Sequence, residues 1–499
     1  MIINQSQKDK IMKEICVHVN NVEFDYDIHS LVKAFYPEAD VHVLHEEDYS
    51  DSSSEGLPDL HVYFDEASIL IQISDDSDVL GETLKMPFDR TLARINQKTA
   101  LKQLIYEKLS QYTGKELPWG MLTGIRPCKL AMSMIEEKKN EEEIKEHLKS
   151  VYLVSDKKSN LAYHVAKKEH GILVRTHGQK GYSVYIGIPF CPTTCLYCSF
   201  TSFPIVSWAN KIDQYLDCIR KELDYVADHF WNRPLDSVYI GGGTPTTLTA
   251  EQLRTLLSMI RSKLNMTYCQ EFTVEAGRAD SITEEKLLVL KEFGVDRISV
   301  NPQTMNQKTL DVIGRKHTVE QVKEAFAMAR RIGISNINMD IILGLPGEGE
   351  EEVQNTLEEI RKLAPESLTV HSLAVKRASK LNAWTKENGM SLLQNTEMIM
   401  DLSVEAAAKM AMHPYYLYRQ KNMAGNFENV GYSVEGKEGI YNILIMEEVQ
   451  SIVALGAGTV TKRVYSDGRI ERCDNVKDVK LYMNKIDEMI ERKRNLFAD

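Results

Sequence analysis

Residues 183–200 read SVYIGIPFCPTTCLYCSF: an apolar run closed by Pro189, then three cysteines, Cys191, Cys195 and Cys198, in eight positions. Five more apolar runs follow at regular intervals, SVYIGGG (237–243), EFTVEA (271–276), DRISVNP (296–302), NINMDIILGLP (336–346) and SLTVHSL (367–373). Between successive runs lie amphipathic stretches with helical spacing, such as AEQLRTLLSMIRSKL (250–264) and TVEQVKEAFAMARRIG (318–333). Strands that alternate with helices imply a parallel sheet joined by right-handed crossovers. Six such units fall short of the eight of a closed barrel, so the expected fold is α/β, an open partial (β/α)6 barrel. The cysteines begin where the first strand ends on its C-terminal side, which is where barrels of this kind carry their chemistry.

Around that barrel the texture differs. Residues 1–85 mix short strands with a helix and read as a small α+β domain, with the acidic run HEEDYSDSSSEGLPD (45–59) as a solvated loop. A helical segment, 86–175, contains the turn-rich stretch LPWGMLTGIRPCKL (117–130), whose LTGIRP is expected to be a docking turn against the barrel, with an interaction surface as the competing reading. The barrel occupies 180–380, and 381–499 is a mixed α/β extension expected to cap its open side. Apolar residues are 43% and charged residues 26% of the 499, an ordinary globular balance. The net charge of -12 argues against a nucleic-acid partner held by a general basic field. The first twenty residues lack the apolar core of a signal peptide, and no later run is long and apolar enough to span a bilayer, so a soluble cytoplasmic protein without a membrane partner is expected.

In a reducing compartment a cysteine cluster signals metal or redox chemistry before disulfides. Zinc wants a fourth ligand; Cys218 lies within helical sequence and Cys473 is remote. Soft thiolates suit an iron–sulfur cluster, and a compact loop reaches three corners of a cubane, leaving one iron open to a substrate or cofactor.

C-x3-C-x2-C with Tyr197 before the third cysteine resembles the radical S-adenosylmethionine superfamily. The resemblance implies a [4Fe–4S] cluster on Cys191, Cys195 and Cys198 whose open iron chelates S-adenosylmethionine, and reductive cleavage of that cofactor to methionine and a 5′-deoxyadenosyl radical. The segments VYIGIPFCPTTCLYCSF, YIGGGTPTTLT, SVNPQTMNQKTLDVIGRKHT, NMDIILGLPGE and LGAGTV resemble, in order, those of the oxygen-independent coproporphyrinogen-III oxidase/dehydrogenase family, and LPWGMLTGIRPCKL extends the likeness to its HemZ branch. Carried over position by position, this implies cofactor contacts at Tyr185, Tyr197, Gly242, Gly243, Thr244, Glu275, Gln303, Arg315, Asp340, Ala374 and Leu455. It also implies a tetrapyrrole substrate, coproporphyrinogen III or haem, with an unidentified electron donor and acceptor. The family's dehydrogenase reaction converts two propionates of coproporphyrinogen III to vinyl groups with loss of carbon dioxide.

The chain departs from the dehydrogenase pattern twice. Phe200 stands where that pattern has a fourth cysteine, as in the related haem-chaperone branch, and Gly187 where it has a histidine. Haem binding and delivery, or another radical reaction on a tetrapyrrole, therefore stand beside decarboxylation. Lys376, Arg377, Lys380, Arg419 and Lys421 are candidates to meet substrate carboxylates, and the aromatics of YYLYRQK (415–421) to stack on a macrocycle; a solvated loop and an ordinary aromatic core are the competing readings. His371 is expected to be a satisfied core residue or a tetrapyrrole contact.

Overall fold

A computed structural model describes residues 14–37, 39–45, 58–74, 83–124, 126–376, 379–420 and 427–498. The chain divides into two compact units, Met1–Tyr163 and His164–Asp499. The acidic run lies outside the described residues over 46–57, as do Ile125, Arg377 and Lys421. Among the described residues no helix is long and apolar enough to cross a membrane.

In the first unit, β1 (Glu14–Val19), β2 (Asp40–Leu44), β3 (Asp59–Phe64), β4 (Ser68–Ser74) and β5 (Leu84–Pro87) form one sheet in the order β2-β1-β3-β4-β5. β1 is parallel to both neighbours, whereas β3, β4 and β5 are antiparallel. Strict alternation in β3 sends Leu60, Val62 and Phe64 to the core, where they join Ile28, Leu31, Leu101 and Ile105 from helices Asp25–Phe35 and Arg94–Thr113. The turn-rich motif docks within this unit. Gly120 adopts φ +52°, and a Cβ there would run into the backbone of Tyr152 and Leu153, so only glycine lets the turn close on the end of helix Glu141–Tyr152.

The second unit is built on an eleven-stranded sheet. Its strands are β6 (Tyr182–Ile188), β9 (Leu235–Gly242), β10 (Glu271–Gly277), β11 (Arg297–Val300), β12 (Ile337–Leu343), β13 (Ser367–Ser372), β14 (His413–Tyr418), β15 (Asn429–Ser433), β16 (Ser451–Leu455), β17 (Val460–Val464) and β18 (Ile470–Asp474). Between β6 and β9, the short pair β7 (Phe190–Cys191) and β8 (Phe203–Pro204) stands apart. The order is β14-β15-β13-β12-β11-β10-β9-β6-β16-β17-β18. The six strands expected from sequence, β6 and β9 to β13, lie side by side and parallel. Helices Ile212–Phe230, Ala250–Lys263, Glu284–Glu292, Val319–Ile332 and Glu350–Leu363 make the crossovers, two of them started by capping boxes at Thr249/Gln252 and Thr318/Gln321.

The sheet is open, and the sequence beyond 380 continues it at both ends: β16 runs parallel beside β6, and β15 antiparallel beside β13. Helix Ile440–Glu447 touches both β9 and β14, which stand far apart in the strand order, so the sheet curls around it. Its Tyr441 stacks on Tyr239 and Tyr185 at 4.5 and 5.8 Å, and the Tyr441 amide donates to Glu271, the first residue of β10, at 2.9 Å. This helix therefore stops the N-terminal end of the partial barrel.

A buried ion pair ties the extension to the barrel. Lys493 and Glu222, both fully buried, meet at 2.7 Å, and Glu222 also accepts from Asn475 (2.8 Å), Tyr482 (2.5 Å) and the Gly456 amide (2.8 Å). Lys493→Met strands the carboxylate without its counter-charge and is expected to cost about 3–5 kcal/mol, read as a lower midpoint in chemical unfolding. A companion Glu222→Gln change, which removes the stranded charge and keeps an acceptor for the donors around it, is expected to recover part of that loss.

Candidate functional site

The cysteine loop is held by backbone, from two sides. On one side the glycine turn after β9 reaches back to it: the Gly243 amide donates to Ile188 O and the Thr244 amide to Phe190 O, each at 2.8 Å. A Cβ on Gly243 would sit 2.6 Å from Phe190 O, and Gly242 has φ +107°. Gly243 is thereby needed for the close approach of one stretch of backbone to another. On the other side Leu196 bonds to Ile313 O and accepts from the Leu381 amide, both at 2.9 Å. Leu196 and Tyr197 pack on the cluster of Leu310, Ile313, Ile342, Leu345, Leu373 and Leu381.

The three sulfurs lie between these anchors. Cys191 is half-buried with its Sγ 3.5 Å from Thr244 Oγ1, Cys195 is buried, and the Phe200 amide donates to the half-buried Cys198 thiol. Burial pushes the Cys191 and Cys198 thiols up, so neither is an activated nucleophile by itself. Two buried guanidiniums flank Cys195: Arg315, which bonds to Cys195, to Asn301 O (2.5 Å) and to Tyr197 Oη (3.2 Å), and Arg278, whose Nη1 lies 3.9 Å from Cys195 Sγ. Among the described residues no group of three or more His, Cys, Asp or Glu converges on a single-ion site. The three thiols are instead separate soft donors on one short loop with cationic neighbours, which suits a polynuclear cluster whose irons occupy separate corners.

Behind the loop, the concave face of the sheet is polar. Strand register aligns Tyr185 with Tyr239, Glu275 with Ser299, and Asp340 with Thr369. The Tyr239 hydroxyl donates to Glu275 at 2.6 Å, and the Gly242 amide also reaches that carboxylate. Asp340 accepts from Asn338 at 2.6 Å and lies 3.9 Å from His371 Nε2, while His371 Nδ1 is 3.4 Å from the Tyr418 hydroxyl. Burial raises the Glu275 carboxyl to about 7, a shift opposed by its bond from Tyr239.

Gln303 has φ +68°, rare for a residue with a side chain, and is pinned there by bonds from its amide to Asp340 O (3.0 Å) and from the Ile342 amide to its carbonyl (2.9 Å). Its buried Oε1 has no partner among the described residues, and the same holds for Arg297 Nε, Ser299 Oγ and Asn301 Oδ1. These four follow one another at every second position, from β11 to just past it. Orphaned polar atoms in a row are costly unless a ligand completes them. The sequence carried this signal in the alternation R-I-S-V-N-P-Q (297–303), where only Gln303 was singled out. Arg278, with Asp280 paired to it, was missed because a single Arg-x-Asp after a strand has no distinctive spacing.

Ala374 lies two residues beyond β13, next to Leu373, whose amide bonds to Leu343 O at the end of β12. Leu455 is not brought to this face: it pairs with Ile186, and its neighbour Ala454 pairs with Tyr185, so alternation turns Leu455 to the opposite side. Of the basic candidates, Lys376 reaches the mouth, its ammonium 5.9 Å from the ring of Phe200, which is 71% exposed. Arg419 is buried, as are Tyr415 and Tyr416, which pack with Ile172 and Ile443; that stretch is core. Gly187 has no room for a side chain, since its Cβ would lie 2.5 Å from Thr459 Cγ2.

The family model for the radical SAM superfamily matches residues 185–360. The chain is 41% identical over 413 residues to the oxygen-independent coproporphyrinogen-III oxidase-like protein HemZ of Bacillus subtilis, covering 80% of this chain and 82% of that one. It is 35% identical over 243 residues to the heme chaperone HemW of the same organism, covering 48% of this chain and 63% of that one. To the oxygen-independent coproporphyrinogen III oxidase of Salmonella typhimurium it is 26% identical over 317 residues, covering 63% and 67%.

Two outcomes follow from the geometry. Gly243→Ala forces the turn off the Phe190 carbonyl, an overpacking cost of about 1–3 kcal/mol, and is expected to lower the iron and sulfide that the protein retains after anaerobic reconstitution. Glu275, raised from 4.5 to about 7 by burial, holds its proton more tightly folded than unfolded. Its contribution to stability is full below about pH 4.5 and lost as pH rises through 7. Glu275→Gln is expected to flatten that fall in denaturation midpoints of the ligand-free protein.

Proposed function

The chain belongs to the radical S-adenosylmethionine superfamily and, within it, to the oxygen-independent coproporphyrinogen-III oxidase-like HemZ family, and from that premise we propose that it oxidatively decarboxylates coproporphyrinogen III to protoporphyrinogen IX. The observation that carries the reading is the loop of three cysteines, braced by the glycine turn, at the open C-terminal end of a parallel sheet lined by orphaned polar groups. Cys191, Cys195 and Cys198 hold a [4Fe–4S] cluster with one iron free of protein ligands. Bound together, the cluster and S-adenosylmethionine supply one-electron chemistry able to remove an unactivated hydrogen.

The chain's own residues receive and orient. Arg315 offers a buried cation beside Cys195 and Tyr197 for a carboxylate, and Asp340, held by Asn338, offers an acceptor for ribose hydroxyls. Glu275, the Gly242–Gly243–Thr244 backbone, Tyr185, Gln303 and Ala374 complete the cofactor's surroundings. With the lower end stopped by helix Ile440–Glu447, substrate enters past the cysteine loop, where Lys376 meets a propionate. The closed lower end keeps bulk water from the reacting centre.

A second reading, haem binding and delivery, is favoured by two observations: Phe200 projects into solvent where the dehydrogenase pattern has cysteine, and Thr459 fills the space of the histidine absent at Gly187. Anaerobic incubation of the cluster-loaded protein with reductant, S-adenosylmethionine and coproporphyrinogen III is expected to release protoporphyrinogen and carbon dioxide. Stoichiometric haem binding without product, from protein that still cleaves the cofactor, would transfer the assignment to haem delivery.

A further inference from the structure

The buried arginine after β10 has a geometry the cofactor contacts do not account for. Arg278 is 2% exposed. Asp280 grips two of its three nitrogens, Nε at 3.0 Å and Nη2 at 2.6 Å, a bidentate clamp that fixes the plane of the guanidinium. The third nitrogen, Nη1, is thereby turned toward the cysteine loop, donating to Thr193 Oγ1 (2.8 Å) and Thr193 O (3.1 Å) and standing 3.9 Å from Cys195 Sγ. Behind the clamp, His317 is fully buried with its Nδ1 3.9 Å from Asp280, and neither ring nitrogen has a hydrogen-bond partner among the described residues. Desolvation, with Arg315 adding to it, holds that imidazole down at about 4, so at neutral pH it adds no charge.

Resting on the proposed assignment of Cys191, Cys195 and Cys198 as cluster ligands, we propose that Arg278, aimed by Asp280, is an electrostatic tuning residue that makes the cluster easier to reduce. One-electron reduction takes an electron from an external low-potential donor and adds one negative charge to the cluster and its thiolates, with no bond made or broken. A guanidinium within contact distance of one of those sulfurs, shielded from water, stabilises the more negative product over the starting state. Asp280 offsets part of this, but it lies on the side of the guanidinium turned away from Cys195, so Nη1 is the nearer charge to the sulfur. Arg315, on the same sulfur, has no carboxylate within ion-pairing distance among the described residues, and adds in the same sense.

The discriminating experiment is a dye-mediated potentiometric titration of the reconstituted full-length protein, followed by the electron paramagnetic resonance signal of the reduced cluster, with iron content measured on the same samples. Arg278→Gln is expected to load the same iron yet to disfavour reduction about tenfold, 59 mV for one electron, while Arg278→Lys restores most of the shift by restoring the charge. An unchanged potential in fully loaded Arg278→Gln protein overturns the proposal. So does iron loss in both variants alike, which would make Arg278 an anchor for Thr193 and nothing more. If the unaltered protein assembles no cluster on its three cysteines, the cluster assignment fails and the proposal with it, an outcome distinct from a loaded cluster of unshifted potential.

Discussion

The structure turns on a contact between two stretches of main chain. A loop with three thiols projects from the end of a strand, and the one buried ring beside Cys191, Phe190 against Tyr215 and Trp208, does not by itself fix the main chain beyond it. What holds it is the glycine turn after β9, whose amides at Gly243 and Thr244 bond to the carbonyls of Ile188 and Phe190 at a separation that excludes a Cβ. The same turn presents Thr244 to Cys191 and the Gly242 amide to Glu275, so one backbone contact sets the distance between the cysteine loop and the carboxylate at the heart of the concave face. Moving the turn would move both.

The second constraint is the cost of a polar interior. A curled sheet with Glu271, Glu275, Arg297 and Asp340 on its concave face would be unstable if those groups were merely buried. At the lower end helix Ile440–Glu447 satisfies Glu271 through its first amides, and its tyrosine covers Tyr239. Toward the cysteine end, among the described residues, no protein group does the same for Ser299 Oγ, Asn301 Oδ1 and Gln303 Oε1. Polar atoms left in this way are the kind that a ligand would complete, independent of any likeness to other proteins.

The six parallel strands were legible because each is a short apolar run followed by helical periodicity, a pattern set by local burial alone. The continuation of the sheet beyond residue 380 was not: β16 lies beside β6 although some 260 residues separate them in the chain, and nothing local in SIVAL announces a partner so distant. For the same reason Leu455 could be placed in the motif but not on a face, since its orientation depends on the register with Ile186. The cysteine triplet stood out from composition and spacing. The arginines around it did not, because Arg278 acquires its meaning only from the fold that carries Thr193 and Cys195 up to it. The aromatic run at 415–418 left a stacking surface and an ordinary core both open in sequence, and the burial of Tyr415, Tyr416 and Leu417 decides for core.

The central claim is that three thiolates hold a cluster and leave one iron for S-adenosylmethionine. Mössbauer and electron paramagnetic resonance spectra of the anaerobically reconstituted, iron-57-enriched protein, with and without the cofactor, test it most directly. The account predicts about four irons per chain, lost on replacing any of Cys191, Cys195 or Cys198, and a spectral change at a single iron when S-adenosylmethionine is added. A cluster whose spectra ignore the cofactor, or whose assembly survives replacement of those cysteines, would contradict it.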